Sequence, residues 1–273
     1  MIKKYRFLIS RRVTQISIMV LYVVANVYGI NFLMGNLSSS LLMKTIPLSD
    51  PYAVMQMLFA GAILSFDVLL GAFIILIFYM TIGGRAFCSW VCPVNIITDA
   101  ANFLRRKFGF NQIQKKQPAS RNIRYWVIAI SFIISFFMGI AAFELVSPIS
   151  MVHRGIIFGL GFGWATMLVI FLFDLFVLKN GWCGHICPLG GFYSLVGRFS
   201  LIRVHHNAQN CTACMKCKEV CPENQVLHMI TRTSIPVLSG ECTNCGRCVE
   251  VCDDDALNFS IKNLIKERQN EVR

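Results

Sequence analysis

Two short stretches near the C-terminal end decide what this chain is: CTACMKCKEVCP at residues 211–222 and CTNCGRCVEVCD at residues 242–253. Each has the spacing C-x2-C-x2-C-x3-C. The chain holds 12 cysteines in 273 residues. The remaining cysteines form two further motifs of identical spacing, FCSWVCP at residues 87–93 and WCGHICP at residues 182–188. The cysteines are therefore grouped in patterns, which indicates metal or redox chemistry rather than scattered structural thiols.

The spacing of the two long runs predicts two [4Fe–4S] clusters. Three closely spaced thiolates wrap one cluster in a tight loop, and the fourth cysteine of each run binds the other cluster. The predicted ligands are Cys211, Cys214, Cys217 and Cys252 for the first cluster, and Cys242, Cys245, Cys248 and Cys221 for the second. Zinc sites more often use two separated CxxC pairs. The second run departs from the usual pattern because Asp253, rather than proline, follows its last cysteine.

Composition indicates a membrane protein. Hydrophobic residues make up 55% of the chain, which is high for a soluble domain. Four apolar stretches have about the 20 residues that a hydrocarbon core requires. They are Val13–Met34, Met57–Ile82, Tyr125–Leu145 and Ile156–Leu178.

The distribution of basic residues predicts the orientation. The net charge is +12, and outside the cysteine-rich end the Lys and Arg residues cluster in residues 3–12 and 85–124, whereas the other two loops carry only Lys44 and Arg154. Basic flanks mark the cytoplasmic side of membrane helices. We therefore expect both termini and the cysteine runs to be cytoplasmic, where disulfides are disfavoured. Because the charge flanks apolar segments instead of forming one basic face, we expect no nucleic-acid partner.

The two CxxxCP motifs follow the second and fourth predicted spans. This predicts two helix–helix–CxxxCP repeats in the same orientation. On a helix, Cys88 with Cys92, and Cys183 with Cys187, would share one face. A shared metal or cluster, a redox-active thiol pair, a quinone pocket, or simple packing of small buried thiols would all suit them.

Three acidic residues fall within the predicted spans: Asp67 in the second, and Glu144 and Asp174 near the ends of the third and fourth, close to a membrane interface. Asp67 is expected near the middle of the second span, where a carboxylate is costly and therefore a functional candidate. It would accept a proton from a quinol or make a hydrogen bond between helices.

Four spans, the motifs FCSWVCPVN and WCGHICPLG, and a two-cluster C-terminal domain resemble the NapH family over nearly the whole chain. The family consists of membrane subunits of quinol dehydrogenases that serve periplasmic nitrate reductase. The resemblance implies electron transfer from menaquinol or ubiquinol, in the bacterial inner membrane, to a periplasmic or membrane-anchored iron–sulfur or cytochrome subunit. Similar cores occur in oxidase assembly proteins, so the alternative is a maturation factor that reduces metal or thiols.

The expected fold is a mainly α membrane protein. Residues 1–200 are predicted to form a four-helix transmembrane bundle with two helix-hairpin–CxxxCP repeats, and residues 201–273 a small α+β ferredoxin-like domain with two [4Fe–4S] clusters. No pair of histidines lies within facing spans, so no haem is predicted. No nucleotide-binding fingerprint follows a strand, so neither NAD nor flavin is expected.

Overall fold

The computed structural model describes residues 5–29, 32–109, 120–158 and 163–261, which are mostly helical. The α-helices are α1 (Arg6–Tyr28), α2 (Pro51–Phe59), α3 (Phe66–Ile82), α4 (Ala86–Trp90), α5 (Val94–Lys107), α6 (Ile123–Met138), α7 (Ala142–Val146), α8 (Pro148–Phe158), α9 (Gly163–Leu172), α10 (Pro188–Val196), α11 (Lys216–Val220) and α12 (Arg247–Glu250). Two π-helical turns are Phe173–Val177 and Trp182–Ile186, and two 3₁₀ turns are Gly197–Phe199 and Asn224–Leu227. The strands are β1 (Leu33–Gly35), β2 (Ser39–Leu42), β3 (Ile46–Ser49), β4 (Ile202–His206) and β5 (Leu257–Ile261).

The predicted bundle of four long spans is not confirmed. Within the described ranges, α1 alone is both long and apolar enough to cross a membrane. The segments Phe66–Ile82, Ile123–Met138 and Gly163–Val177 are apolar but shorter, at 10–17 residues. At a rise of 1.5 Å per residue, a helix of about 17 residues spans about 25 Å.

Local backbone geometry explains why the spans are shorter than the apolar stretches. Gly61 has a φ of +78°, and residues 62–65 are irregular, so α2 and α3 are separate helices. Gly139 ends α6 in the left-handed conformation, which is a common helix terminator. The fourth stretch includes residues 159–162, which lie outside the described residues, and it finishes in the π turn at Phe173–Val177.

Contacts group the chain into two compact units. One unit comprises residues 15–77 and 92–192. It contains the antiparallel sheet β1-β2-β3 and a buried aromatic cluster around Tyr52, whose ring centroid lies 5.6 Å from that of Phe132 and 5.6 Å from that of Phe192. The Tyr52 hydroxyl is 2.5 Å from the hydroxyl of Ser131, which satisfies the polar end of a buried aromatic side chain.

The other unit comprises residues 1–14, 78–91 and 193–273, of which residues 1–4 and 262–273 are not described. Strands β4 and β5 pair antiparallel, from Ile202 opposite Ile261 to His206 opposite Leu257. Its buried core consists of Val204, Cys217, Cys221, Val226, Leu227, Met229, Ile230, Val237, Cys248, Val249 and Leu257. Burial of each large aliphatic side chain contributes about 1.5–3 kcal/mol.

This unit includes two segments that are distant in sequence from residues 193–273, namely residues 1–14 and 78–91. The Phe7 ring packs edge-on against Phe259 at 5.4 Å, and the main-chain amide of Leu8 donates to Glu250 at 2.9 Å. Residues 78–91 join from the predicted transmembrane half. The predicted domain boundary after residue 200 therefore falls inside this unit, which already begins again at Tyr193.

Candidate cluster-binding sites

The two cysteine runs have positive φ angles at the same two positions. In the first run, Ala213 and Met215 have φ angles of 60° and 61°. At the equivalent positions of the second run, Asn244 and Gly246 have φ angles of 48° and 75°. Positive φ angles are unusual for residues other than glycine. Here they bend each loop around one side of a site. The third cysteine of each run lies in a short helix, α11 or α12.

Burial and neighbouring thiols show which cysteines lie together. Burial raises the pKa of Cys248, and negative charge on Cys245, Cys221, Cys242 and, least of these, Cys217 raises it further. Burial likewise raises the pKa of Cys217, and the nearby charges that add to this are on Cys252, Cys211 and Cys214. Cys221 is thus near the second run and Cys252 near the first, which is the arrangement that crossed ligation requires.

The second ligand set surrounds a cavity. All four of its thiols line the space, together with apolar residues such as Val204 and Leu227. Four thiol groups around one largely apolar hollow fit a [4Fe–4S] cluster, which would take one thiolate on each iron and store single electrons. Among the described residues no three His, Cys, Asp or Glu side chains are placed to hold a single metal ion.

Residues 78–91, which we call the Cys88 segment, contact the loop at residues 241–246, which we call the second cluster loop. The Ser89 hydroxyl donates to the Thr243 carbonyl oxygen at 2.7 Å. The Trp90 indole donates to the Asn244 carbonyl oxygen at 3.1 Å. In return, the Asn244 amide donates to the Ile82 carbonyl oxygen at 2.8 Å. The loop that carries Cys242 and Cys245, two ligands of the second set, is therefore fastened to the segment that carries Cys88.

A buried ion pair between Arg85 and Glu223 also holds the second cluster loop, at Glu241. The Arg85 guanidinium lies 2.7 Å from a carboxylate oxygen of Glu223, with 1% and 2% of the two side chains exposed. The same Arg85 nitrogen donates to the Glu241 carbonyl oxygen at 3.0 Å. Burial raises the pKa of Cys242 to about 11, and the charges of Arg203 and Arg85 oppose part of that rise.

Two glycines allow the Cys88 segment to approach this closely. Gly83 has a φ of +145° and lies against the Asn244 side chain. A Cβ on Gly84 would overlap the main chain of Tyr193 and Gly197. Only glycine fits both positions, because one requires an unusual backbone conformation and the other leaves no space for a side chain.

Arg203 supports the chain segment that leads into the second cluster loop. It is buried and donates to five main-chain carbonyl oxygens at 2.8–3.0 Å, those of Ser200, Val237, Leu238, Gly197 and Arg198. Burial lowers the pKa of Arg203, while the nearby Cys242 opposes that change. A single side chain thus joins β4 to the turn before it and to the strand-like segment that leads to the second cysteine run.

The second CxxxCP motif lies in the other unit and is held by a buried polar cluster. Cys183 belongs to the π turn Trp182–Ile186. The buried carboxylate of Asp174 accepts from the Trp182 amide at 3.0 Å. Arg105 donates to the carbonyl oxygens of Asp174 and Leu175 at 3.0 and 3.1 Å. π-helical turns often occur at functional sites; here one precedes the motif and the other contains Cys183.

The structure corrects the expectation that each pair of these cysteines shares one face of a helix. Cys92 and Cys187 lie just outside helices, so neither motif places both thiols on one face of a regular helix. Proline follows each of them and disfavours the α conformation of the preceding residue; Cys187 is extended, with a φ of −60° and a ψ of 112°. Cys88 and Cys183 are partly exposed, whereas Cys92 and Cys187 are buried. Cys88 belongs to one unit and the other three to the other.

The predicted position of Asp67 in mid-span is wrong. Asp67 is exposed and lies in the first turn of α3, because the break after Gly61 delays the start of that helix to Phe66. A carboxylate there is stabilised by the helix dipole. Its role in proton transfer stays a prediction.

Sequence reasoning missed Arg85, Glu223, Arg203 and Asp174. Arg85 counted only as a basic flank of a membrane segment, and Asp174 only as a residue near a membrane interface. One available signal was the pair Gly83–Gly84 before Arg85, since adjacent glycines indicate a close approach of the backbone. No local pattern indicates that Arg85 meets Glu223, because the two are 138 residues apart.

Comparisons with known proteins agree with this geometry. The family described as "4Fe-4S binding domain" matches residues 64–111 and 160–205, and each match contains one CxxxCP motif. The family described as "4Fe-4S dicluster domain" matches residues 203–253. No solved structure matches the chain.

Curated relatives match most of the chain. The "Methylamine utilization ferredoxin-type protein MauN" of Methylorubrum extorquens is 42% identical over 228 residues, which are 83% of this chain and 78% of that protein. The "Ferredoxin-type protein NapH" of Haemophilus influenzae is 44% identical over 224 residues, which are 81% of this chain and 77% of that protein. NapH of Escherichia coli is 41% identical over 226 residues, 82% of this chain and 78% of that protein. The chain therefore belongs to the family of ferredoxin-type iron–sulfur electron-transfer proteins that includes NapH and MauN.

Proposed function

We propose that this protein is a membrane subunit of a quinol dehydrogenase and that it passes electrons from quinol toward a reductase through two [4Fe–4S] clusters. The observation that carries the proposal is the crossed grouping of the two cysteine sets. Cys217 lies near Cys252, and Cys248 lies near Cys221. Clusters arranged in this way exchange single electrons, and two single-electron acceptors suit quinol, which gives up two electrons and two protons.

We further propose that the chain crosses the membrane four times, with both termini in the cytoplasm. The exposed apolar surface of the shorter helices supports this. Phe73 on α3, Trp126 and Phe137 on α6, and Val169 on α9 are 58%, 70%, 80% and 66% exposed. Large apolar patches without a protein cover indicate contact with a membrane or a partner. Helices shorter than the hydrocarbon core cross it where the bilayer thins or where flanking side chains reach the interface.

The partner is the least specific part of the proposal. The resemblance to NapH supports delivery to a periplasmic reductase such as nitrate reductase. A relative of comparable identity is a methylamine utilization protein. We propose that the shared step is electron transfer to an iron–sulfur or cytochrome subunit, and that this subunit differs between the two systems.

The CxxxCP cysteines are proposed as the quinone-side redox site. The match of each motif to a family described as a 4Fe-4S binding domain supports an additional iron centre there. Such a centre would also shorten the distance across an apolar core of about 30 Å. Iron analysis addresses this point: more than eight irons per chain, with a loss of the excess in the C88A/C183A variant, is the expected result. A count of eight, unchanged in that variant, would remove the additional centre.

The proposed function is tested in liposomes that contain the purified protein. Menaquinol or ubiquinol is added anaerobically, and cluster reduction is followed by EPR. Dithionite serves as the control reductant, because it is a much stronger reductant than either quinol. The proposal fails if dithionite produces both cluster signals and neither quinol produces one.

A second candidate function is a maturation factor that reduces metal or a disulfide for oxidase assembly. The partly exposed thiols of Cys88 and Cys183 favour it, because accessible thiols are the ones that react. Deletion of the gene distinguishes the two functions. A maturation factor predicts loss of oxidase copper with intact periplasmic nitrate or methylamine metabolism, and the electron-transfer subunit predicts the reverse.

A further inference from the structure

We propose that Arg85 is a positioning residue for the second cluster. Its guanidinium, held by Glu223, fixes the second cluster loop and keeps a buried positive charge beside Cys242. The charge balance of the Arg85–Glu223 pair therefore sets the reduction potential of that cluster. The inference rests on the proposed function only in requiring that the second ligand set binds a cluster.

The contacts of the pair reach both parts of the second ligand set. Glu223 follows the crossing ligand Cys221 by two residues, and Glu241, whose carbonyl oxygen accepts from Arg85 at 3.0 Å, directly precedes Cys242. The other carboxylate oxygen of Glu223 accepts from the Gln225 amide at 3.0 Å. Arg85 thus joins the two chain segments whose separation decides whether four thiolates meet at one site.

Burial makes the charges of the pair effective. Both side chains are almost completely enclosed, and charges in such surroundings interact far more strongly than charges in water. A cluster gains one negative charge when it is reduced. The Arg85 charge therefore favours the reduced form and raises the potential, and the Glu223 charge lowers it. Hydrogen bonds, net charge and solvent exposure near the sulfurs are known determinants of cluster potentials.

Opposite shifts distinguish this role from a merely structural one. R85Q removes a buried positive charge near the cluster, so the potential falls. E223Q removes a buried negative charge, so the potential rises. The double variant R85Q/E223Q removes both charges and returns the potential toward the wild-type value. A structural role alone predicts loss of cluster or stability in both single variants, without shifts of opposite sign.

The experiment is a potentiometric titration of the purified full-length protein in detergent, with redox mediators and EPR detection. We expect a shift of at least tenfold in the reduction equilibrium constant of one cluster, which is about 59 mV for one electron, downward in R85Q and upward in E223Q. R85K keeps the charge and is expected to stay within a threefold change. The variant C252S identifies the signal of the second cluster, because it removes a ligand of the first.

Lys216 provides a matched control. It pairs with Asp253 at 2.8 Å, but both side chains are largely exposed, so K216Q should leave the second cluster unchanged. If R85Q does not retain its second cluster, the inference is still tested by the expected rise of the potential in E223Q and the expected unchanged potential in R85K. Unchanged potentials, or shifts of the same sign in both single variants, overturn the inference. Because the titration uses mediators instead of quinol, a failure of quinol oxidation is recognised separately, and a wild-type protein without two cluster signals overturns the proposed function itself.

Discussion

Replacement of Arg203 by methionine should sharply reduce the lifetime of the clusters. The buried guanidinium donates five hydrogen bonds of 2.8–3.0 Å to main-chain carbonyl oxygens. Methionine keeps a similar apolar stem but offers no donor. The turn before β4 and the segment that leads to the second cysteine run would lose their common support.

The size of the effect follows from those bonds. A buried polar group that loses its partner costs about 1–3 kcal/mol, but some of the five carbonyl groups will regain water once the site loosens. We therefore expect a loss of about 3–5 kcal/mol, similar to the removal of one partner from a buried charged network. Lysine at this position has three donors where arginine has five, so R203K should lose roughly half as much.

Cluster loss on heating is the appropriate assay, because membrane proteins with cofactors rarely unfold reversibly. The purified protein is held at a fixed elevated temperature, and the decay of cluster absorbance is followed. Each 1.4 kcal/mol is about a tenfold change in rate or equilibrium, so R203M should release its clusters about a hundredfold faster or more. R198Q is the control, since the Arg198 side chain is exposed and surface substitutions change stability by about 0.5 kcal/mol or less. Equal decay rates in R203M and R198Q would refute the reasoning.

Three further predictions concern other parts of the molecule. C221S and C252S should each remove a different cluster, so their EPR spectra should be complementary. Each variant should retain about four irons in its remaining [4Fe–4S] cluster. G84A should strongly reduce cluster content, since the added methyl group has no space against the facing main chain and overpacking costs about 1–3 kcal/mol or more. His153 lies between the third and fourth predicted spans; burial lowers its pKa, so stability should fall as the pH drops below about 6.5, where the unfolded state binds a proton that the folded state excludes.

Each of these predictions has a contrary outcome. Identical spectra for C221S and C252S would mean that the ligands are not divided between the clusters. Wild-type iron content in G84A would contradict the close approach at that glycine. H153F should abolish the acid sensitivity because it removes the buried titrating ring, whereas substitution of the exposed His228 should not. Acid sensitivity that persists in H153F would assign it to another group.

The cluster ligands were predictable from the sequence because their geometry is local. Three thiolates within seven residues, followed by a fourth, define most of a cluster site with little help from the rest of the chain. The family resemblance was confirmed for the same reason, since both CxxxCP motifs and both long runs are contiguous patterns. The existence of apolar helices also follows from local composition, although their ends do not.

The predicted helix ends were wrong where the backbone conformation of a single residue ends a helix. An apolar stretch from Met57 to Ile82 reads as one span, yet the left-handed conformation of Gly61 divides it and moves Asp67 from the middle of a span to a helix start. Hydropathy averaged over about 20 residues does not register one such residue. Averaged hydropathy also gives no signal for the π turns Phe173–Val177 and Trp182–Ile186.

The sequence by itself determined the family of this protein and predicted two [4Fe–4S] ligand sets with crossing cysteines, because ligand spacing is a short-range property. Only the tertiary structure decided that the Cys88 segment holds the second cluster loop and that Arg85 meets Glu223 inside the same unit. A contact between residues 138 positions apart depends on how the whole chain packs. In the sequence, a basic residue beside an apolar stretch looks the same whether it faces lipid headgroups or a buried carboxylate.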